Sequence, residues 1–466
     1  MIFKKLNYNN NNNKISYIYV CVLSLFLIFS FYSLMNKNKF RFKNDLLNDI
    51  LNQHDSFDIE VTKSMIIKGR TIVMDSLKES RYCEYIDLVY TWVNGSDPKH
   101  IESRIYYHNL EQIQHKEKLK KLKEQKLIKE ELLKQEQKKK GYRIVGEKKE
   151  KRDDDDDYDD DDDDENFEVK LISYEEEESQ RFRDYGSLKY SLRSVRKNVP
   201  WIRNIYIVTA NQIPSWFNTS NSDNIKFIFH EQLYKNKEDL PTFNSNSIES
   251  NFWNLPEEVS NCFLYSNDDL FFREKVEVED FFDNEYYHNI FETDEIISSW
   301  TPNAKKKDLW TRTLINTNKI LDKTWHFSEI RKNAQHGVQV FNKEMWSIMS
   351  FDLKEQLSIT SSNRFRKPND IQIPYAYNQF VKRYSRKYKK MKQNNQYYAL
   401  TNDDYKNILS EVSFNQDGYK TICLNDLFQF ENITNSQSGL KSDIIVDITN
   451  FFESLFPAPS PYENIY

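Results

Sequence analysis

The sequence predicts an α/β fold in which a mostly parallel sheet is flanked by helices. Four short runs rich in β-branched and aromatic residues have the length and composition of buried strands. These runs are Ile86–Val93, Asn204–Ala210, Lys226–His230 and Cys262–Tyr265. Between the first two runs, Leu188, Leu192 and Val195 recur at helical spacing and predict an amphipathic helix that ends before Pro200. Strands that alternate with helices indicate a parallel sheet covered by helices.

The N-terminal region has the features of a membrane anchor. Ile15 to Met35 contains no charged residue, and as a helix it is long enough to span a hydrocarbon core of about 30 Å. A cleaved signal peptide is the alternative, although its apolar region is usually shorter. Lys and Arg flank the segment on both sides, so charge does not decide its orientation. We therefore expect a cytosolic tail at 1–14, a transmembrane signal anchor at 15–35 and a stem at 36–80.

Composition divides the rest of the chain into a packed body and a charged insertion. Aromatic residues make up 15% of the sequence and charged residues 30%, which indicates a core together with solvated segments. Residues 111–180 begin with a Lys/Glu-rich stretch whose apolar spacing is too irregular for a coiled coil and favours a solvated helix. The tract Asp153–Glu165 is acidic at every position but Tyr158, so we expect it to be disordered. No basic surface for nucleic acid is evident.

Cysteines and glycosylation sequons give weaker information about the compartment. Outside the predicted span lie Cys83, Cys262 and Cys423, which allow at most one disulfide bond. Sequons begin at Asn218 and Asn432, and they are typical of glycosylated secretory proteins. Together with the anchor, they favour a body on the lumenal side.

Three of the predicted strands run directly into polar loops. The first is followed by Asn94-Gly95-Ser96-Asp97, the second by Asn211-Gln212, and the last by Asn267-Asp268-Asp269. Loops at the carboxyl ends of parallel strands converge on one edge of the sheet, where ligands bind. Two adjacent carboxylates there could hold Mg²⁺, Mn²⁺ or Ca²⁺. A solvated turn is the alternative explanation, because Asn and Asp are common turn residues.

Five stretches of sequence, taken in order, resemble the conserved regions of the Stealth family. The stretches are YTWVNGSDPKH, RDYGSLKYSLRSVRKNVPWIRNIYIVTANQIPSWFN, LPTFNSNSIESNFW, FLYSNDDLFF and FNQDGYKTICLND. The family includes the catalytic subunit of the Golgi GlcNAc-1-phosphotransferase and bacterial capsule polymerases. The resemblance implies a Rossmann-like or GT-A-like catalytic domain. Its segments are expected at 81–110 (first region), 181–290 (second), 291–400 (third) and 401–435 (fourth), with a C-terminal tail at 436–466.

The resemblance implies transfer of GlcNAc-1-phosphate or a similar hexose-1-phosphate. A glycan hydroxyl would attack the β-phosphorus of a UDP-sugar and release UMP, with Mg²⁺ or Mn²⁺ as the cofactor. The expected partners are a UDP-sugar donor, a glycan or glycoprotein acceptor and a membrane, without nucleic acid, and oligomer formation stays open. The expected location is the Golgi or another secretory membrane, as a single-pass glycoprotein with a lumenal catalytic domain.

The resemblance also assigns individual residues. It implies catalytic roles for Glu249, Asp269, His336 and Arg366. It implies substrate binding by Trp92, Asn94, Gly95, Asp97, Arg193, Arg312 and Asp370. It implies metal binding by Asp268, Asp269, Asn425 and Asp426. Each assignment has a plain structural alternative, such as a core tryptophan, a hydrogen-bonded histidine or a surface arginine.

Two other functions fit parts of the sequence. A glycosyltransferase of similar architecture would attack the anomeric carbon and release UDP. A catalytically inert membrane protein could use the charged helix of the insertion as an interaction arm. The animal enzyme that tags lysosomal proteins carries cysteine-rich modules which the three extramembrane cysteines exclude here. The acceptor therefore stays open.

Overall fold

The computed structural model describes residues 64–67, 70–73, 83–139, 181–222, 224–282, 288–298, 302–385, 388–391, 394–414, 418–429 and 440–464. The chain divides into two compact units, Met1–Ser76 and Leu77–Tyr466. The predicted membrane span and the Asp153–Glu165 tract lie outside the described residues. Among the helices of the described ranges, none is both long and apolar enough to cross a bilayer.

The first unit contains two short strands, β1 (Ser64–Ile67) and β2 (Arg70–Val73), which pair antiparallel. The strands of the second unit are β3 (Ile86–Thr91), β4 (Ile205–Thr209), β5 (Ile225–Phe229), β6 (Cys262–Asn267), β7 (Leu270–Phe272), β8 (His288–Ile297), β9 (Arg331–Ala334), β10 (Gln339–Asn342), β11 (Tyr388–Met391), β12 (Asn395–Leu400) and β13 (Thr421–Asp426). Its helices are α1 (Pro98–Lys139), α2 (Ser187–Asn198), α3 (His230–Leu233), α4 (Ser245–Glu249), α5 (Leu309–Trp325), α6 (Lys343–Asp352), α7 (Lys354–Ser362), α8 (Ile373–Tyr384), α9 (Tyr405–Phe414) and α10 (Ser442–Leu455).

The central sheet has the strand order β10-β6-β3-β4-β5. Strand β3 runs parallel to β4 and β6, and β4 runs parallel to β5. The four strands expected from sequence are therefore confirmed, as is their parallel arrangement. Strand β10, which pairs antiparallel with β6 at the edge, was not predicted. The result is a mixed α/β fold.

Both faces of the central sheet are covered. Along β3, Val89 belongs to one core cluster together with Trp346 of α6. Leu88, the preceding residue, belongs to the cluster on the other face, which contains Leu192 of α2. Successive side chains of a strand point to opposite faces, so a strand buried on both faces needs apolar residues throughout. This explains why the strands read as continuous apolar runs.

The second unit also contains two three-stranded sheets. In the first, β13 lies between β12, to which it is parallel, and β7, to which it is antiparallel. Because β7 follows β6 after only Asp268 and Asp269, this sheet begins where the central sheet ends. In the second, β8 pairs with β11 and β9.

Helix α1 confirms the solvated helix predicted for the start of the charged insertion. Pro98 occupies the first helical position, where a missing N–H costs nothing. From Lys123 to Gln135 every residue is exposed. Near its beginning, however, α1 contacts the body: Glu111 forms a 2.9 Å ion pair with Lys367.

A disulfide bond joins Cys83 to Cys262 and leaves Cys423 as a free, buried cysteine. Cys262 begins β6 and lies opposite Ile86, the first residue of β3. The bond therefore joins the N-terminal ends of two neighbouring strands. The two cysteines are 179 residues apart in the sequence.

The prediction that residues 436–466 form a tail is wrong. Residues 442–455 form α10, whose buried Phe452 stacks against Tyr190 of α2 with ring centroids 5.0 Å apart. The segment after α10 is also docked, because the guanidinium of Arg193 donates hydrogen bonds of 2.8 and 2.6 Å to the Glu463 carboxylate. No local pattern predicts this contact, because its partners are 270 residues apart in the chain.

Replacement of Arg193 by Met should destabilise the protein strongly. Glu463 is only 7% exposed, so the variant leaves a buried carboxylate without its partner, at a cost of about 3 kcal/mol in the free energy of unfolding. Urea denaturation followed by circular dichroism measures this loss. Lys197→Ala on the same helix changes an exposed residue and serves as the control. Equal stability of the two variants would contradict the structural role of Arg193.

Candidate active site

The strand order of the central sheet reverses between β3 and β6. From β3 the chain proceeds through β4 to β5 on one side, and it then returns to add β6 on the other side of β3. At the carboxyl ends of these two strands, Thr91 lies opposite Asn267. The Thr91 hydroxyl donates a 3.1 Å hydrogen bond to Oδ1 of Asn267. Ligands of open α/β sheets bind outside the carboxyl ends of the strands at such a switch point.

The loops after β3 and β4 meet at this edge, as expected from sequence. The Gln212 side chain donates 3.0 Å hydrogen bonds to the backbone oxygen of Asn94 and to the carboxylate of Asp97, and it accepts one from the Asn94 N–H. Gly95 approaches Phe182 so closely that a Cβ atom would lie 2.0 Å from the Phe182 backbone oxygen. Only glycine fits this position.

Trp92 holds the segment that precedes α2. The Trp92 indole donates a 3.1 Å hydrogen bond to Asp184, and Oδ1 of Asp184 accepts one from the backbone of Gly186. Gly186 has φ of 87°, a left-handed conformation that glycine adopts without strain. Burial raises the pKa of Asp184. Trp92 is thus a buried residue that positions an acid which sequence reasoning did not single out.

Asp268 and Asp269 are partly buried beside this edge. The Ser187 hydroxyl donates a 2.8 Å hydrogen bond to Asp268, and the thiol of Cys423 lies 3.4 Å from Oδ2 of Asp269. Burial raises the pKa of both carboxyls, and for Asp268 the neighbouring charges of Asp269 and Asp184 raise it further. No donor among the described residues reaches Oδ1 of Asp269. A partly buried carboxylate with an unsatisfied oxygen and a like-charged neighbour fits a cation site better than a solvated turn.

Asp426, at the end of β13, lies next to this pair but already has a cationic partner. Arg183 donates hydrogen bonds of 2.7 and 2.6 Å to its two carboxylate oxygens. Burial raises the pKa of Asp426 to about 6, against the lowering effect of Arg183. Asn425 is partly buried, and its side chain contacts Tyr397. Asp426 is therefore a poorer metal ligand than Asp269.

The side chains of the described residues do not by themselves provide a full set of metal ligands. In those ranges of the chain, no group of three or more His, Cys, Asp or Glu residues is arranged to hold a metal ion. Mg²⁺ commonly uses only one or two carboxylates and takes its remaining ligands from water and substrate phosphates. Asp268 and Asp269 provide the hard oxygen atoms for such a site.

Three of the four proposed catalytic residues line one open cleft, whereas Asp269 is partly buried and is not part of the cleft wall. The cleft has a volume of about 620 Å³, including solvent at its mouth, and Glu249, His336 and Arg366 are part of its wall. Asn267 and Leu270, on either side of the acidic pair, also line it. His336 is close enough to Asp269 for its charge to lower the pKa of that carboxyl, in opposition to burial.

Glu249 ends α4 and is hydrogen-bonded to the strand end of β6. The Tyr265 hydroxyl lies 2.9 Å from Oε1 of Glu249 and 2.8 Å from Oδ1 of Asn267. Burial raises the pKa of Glu249 to about 7, while the Tyr265 hydrogen bond and the charge of Arg366 lower it. Glu249 can therefore hold or release a proton near neutral pH.

Arg366 lies on a loop that Asp370 fixes in place. The Asp370 carboxylate is fully buried and accepts hydrogen bonds from the amides of Asn244 and Asn363, at 2.8 and 2.7 Å. It therefore joins the loop that carries Arg366 to the segment that begins α4. Arg366 itself donates a 2.7 Å hydrogen bond to Ser245. Asp370 does not line the cleft, so its contacts support a positioning role.

His336 follows β9 and has a free ring nitrogen. Its Nδ1 atom is buried and has no hydrogen-bond partner in the described ranges. The ring packs edge to face against Tyr397, with centroids 5.3 Å apart. A histidine at a cleft wall with an unpaired nitrogen suits proton transfer better than a purely structural role.

None of the seven residues predicted to bind substrate is part of the cleft wall. Trp92, Asn94, Gly95 and Asp97 lie in or beside the loop after β3, and Asp370 supports the loop of Arg366. Arg193 is committed to the C-terminal segment, as described above. Arg312 is half-buried on α5 and does not contribute to the cleft wall. Sequence reasoning missed Asp184, Tyr265 and Trp310. The first two belong to stretches already quoted for the family resemblance, whereas Trp310 has no motif to mark it.

Comparison with known proteins identifies the regions of the chain that carry these residues. Stealth conserved region 1 matches residues 84–111, region 2 matches 181–290, region 3 matches 335–383 and region 4 matches 414–465. An exopolysaccharide phosphotransferase of Streptomyces coelicolor is 29% identical over 283 residues, which are 61% of this chain and 50% of that protein. The capsular polysaccharide phosphotransferase fcs1 of Haemophilus influenzae is 33% identical over 205 residues, which are 42% and 54% of the two chains.

The chain thus spans about half the length of the curated relatives it matches. Among solved structures, the glycosyltransferase GlyE of Streptococcus pneumoniae gives a TM-score of 0.27 at 10% identity, over 59% of this chain and 62% of that one. Mouse xyloside xylosyltransferase 1 also gives 0.27, at 12% identity, over 52% and 92% of the two chains. Both scores are low. The four conserved regions occur in order, cover about half of the sequence and contain Glu249, Asp269, His336 and Arg366, so the chain belongs to the Stealth family.

Proposed function

We propose that this protein transfers a hexose-1-phosphate, such as GlcNAc-1-phosphate, from a UDP-sugar to a hydroxyl group of a glycan. The observation that carries the proposal is the cleft at the switch point, which brings Glu249, His336 and Arg366 together beside the partly buried Asp269. The printed names of the curated relatives, exopolysaccharide and capsular polysaccharide phosphotransferases, support the same class of reaction.

In the proposed reaction the acceptor oxygen forms a bond to the β-phosphorus of the donor. The bond from that phosphorus to the oxygen that bridges the two phosphates breaks, and UMP leaves with the bridging oxygen. The proton of the acceptor hydroxyl passes to the imidazole of His336, which is part of the cleft wall. The sugar therefore arrives on the acceptor with its phosphate attached.

Each of the other residues has a role that matches its contacts. Arg366 is the only Lys or Arg among the described residues that line the cleft, and we assign it to the transferred phosphate, since a guanidinium suits bidentate phosphate contacts. Glu249, which titrates near neutral pH, orients sugar hydroxyls by hydrogen bonds. Asp269, with Asp268, would hold Mg²⁺ or Mn²⁺, which neutralises phosphate charge when bound.

We also propose that the body folds on the lumenal side of a secretory membrane, such as that of the Golgi. The disulfide between Cys83 and Cys262 supports this proposal, because such bonds persist in oxidising compartments and are rare in the cytosol. The proposal of a membrane anchor at Ile15–Met35 depends on sequence alone, as does that of a glycoprotein.

The central experiment incubates the full chain with radiolabelled UDP-sugars, one donor at a time, and identifies the nucleotide product. Release of UMP supports the proposal. Release of UDP would assign the protein to glycosyltransferases that attack the anomeric carbon. If neither nucleotide is released and no donor binds in the presence of Mg²⁺, the protein is an interaction protein without catalytic activity.

Asp269→Asn should abolish most of the activity without loss of stability. Asparagine removes the charge that the proposed cation needs, and we expect kcat to fall by about 100-fold or more. The neutral amide suits a partly buried site, so thermal unfolding should be unaffected. Calorimetric titration of the variant with UDP in the presence of Mn²⁺ should show weakened binding. Asp294→Asn, which changes a fully exposed carboxylate, is the control. Full activity of Asp269→Asn would reject the ligand assignment.

Glu249→Gln should change how stability depends on pH. The Glu249 carboxyl has an ordinary pKa of 4.5, and burial raises its pKa to about 7 in the folded protein. Between these pH values the unfolded chain releases a proton that the folded chain keeps, so the wild-type protein loses roughly 3 kcal/mol of stability as pH rises through this window. The glutamine variant has no such proton. Urea denaturation of both proteins in chelator should therefore show the variant gaining relative stability from about pH 4.5 to about pH 7. Parallel pH profiles would show that Glu249 is ionised in the folded protein throughout.

A further inference from the structure

One large aromatic side chain in the cleft has no role in the proposed chemistry. Trp310, at the second position of α5, lines the cleft and is 41% exposed. Leu314, one turn further along α5, lines the cleft as well. An exposed indole at a concave site offers a flat apolar surface to a ligand. A pyranose ring has a matching surface, since the C–H groups on one of its faces are apolar while its hydroxyls lie at the edge.

Trp310 lies beside the proposed base. The centroid of its ring is 6.4 Å from that of His336, with the two planes inclined by 54°. A ring stacked on the indole would therefore have its edge near the imidazole. This is the position that an attacking hydroxyl must occupy if His336 is to take its proton.

Gln372 is joined to the same turn of α5. Its side-chain nitrogen donates a 3.1 Å hydrogen bond to the Thr313 hydroxyl, which in turn donates a 2.7 Å hydrogen bond to the backbone oxygen of Trp310. Both Trp310 and Gln372 line the cleft. The contacts fix the Gln372 amide beside the first turn of α5, which carries Trp310.

The amide groups of the cleft wall present acceptors to a ligand. Gln372, Gln339 and Asn246 donate their side-chain nitrogens to Thr313, to the backbone of Gln335 and to Asp370, respectively. Within the described ranges, their carbonyl oxygens accept no hydrogen bond. Free carbonyl oxygens attract hydroxyl donors and repel phosphate oxygens. Gln372, beside the first turn of α5, therefore offers a group that binds the hydroxyls of a neutral sugar, whereas Arg366 suits the phosphate of the donor.

We propose that Trp310 and Gln372 form the subsite for the acceptor sugar, in which a neutral pyranose stacks on the indole and directs one hydroxyl to His336. The inference rests on the proposed function and adds to it the class of acceptor: an uncharged pyranose residue, not an anionic sugar.

The test measures acceptor use and donor use separately. The full chain is assayed with a UDP-sugar donor and, as acceptors, methyl α-mannopyranoside, methyl β-glucopyranoside and methyl α-galactopyranoside in parallel. Trp310→Ala should raise the acceptor KM by about tenfold or more. The KM for the donor and the slow release of UMP to water should stay unchanged. Trp310→Phe, which retains an aromatic ring, should restore part of the acceptor affinity.

Trp253 provides a matched control. It has the same exposed fraction as Trp310, 41%, but it does not line the cleft. The Nζ atom of Lys235 lies 3.9 Å from the centroid of its ring. Trp253→Ala should leave both KM values unchanged.

Three results would overturn the proposal. The first is a Trp310→Ala variant whose acceptor KM is unchanged, and the second is one in which the donor KM rises as much as the acceptor KM. The third is a wild-type protein that releases UMP to water but is not accelerated by any of the three pyranosides. Absence of UMP from the wild-type protein with every donor contradicts the proposed function instead. In that case, saturation-transfer NMR with the same pyranosides decides whether Trp310 binds sugar.

Discussion

The burial of acidic groups at one end of the central sheet is the constraint on which the site depends. Asp184, Asp268, Asp269 and Asp426 all have pKa values raised by burial, and Arg183 forms an ion pair with Asp426. A protein that buries charge at this density must neutralise it by protonation, by a cation or by a ligand. The reversal of strand order between β3 and β6 places this cluster at the edge of the sheet where ligands bind. A charged ligand bound there can offset the free-energy cost of burying the carboxylates.

The walls around this cluster come from distant parts of the chain. Loop residues 363–370, which carry Arg366, contact α4 through Asp370 and contact the beginning of α1 through the ion pair between Lys367 and Glu111. The ring of His108 also packs against Phe365, with centroids 5.5 Å apart. The first turns of α1 therefore support the cleft, whereas the exposed residues from Lys123 onward do not. Burial along α1 continues past Glu111, the predicted start of the charged insertion, because Leu119 is only 8% exposed.

The sequence predicts those features whose signals are local. Strands β3 to β6 and helix α2 bury apolar residues at regular spacing, and the polar loops follow directly in the chain. Strand β10 has the sequence QVFN, with a polar residue at each end, so no apolar run marks it as a strand, and nothing local indicates its antiparallel pairing with β6. Nor does any spacing indicate that His336 lies near Asp269 or that Arg193 pairs with Glu463, because these contacts form only when the whole chain is folded. The family resemblance supplied the first of these. The prediction that Arg193 faces the site depends on its place on the helix alone, and it is wrong because the side chain turns towards α10.

The bond between Cys83 and Cys262 has a consequence for how the protein can be produced. During synthesis Cys83 is made well before Cys262, and the whole charged insertion lies between them in the chain. Until Cys262 is made, the thiol of Cys83 is free to react with other chains. A bacterial cytosol keeps thiols reduced, so recombinant material made there would lack this covalent link between β3 and β6. An insect or mammalian secretory host, with its own disulfide isomerases, is the appropriate source for biochemical work.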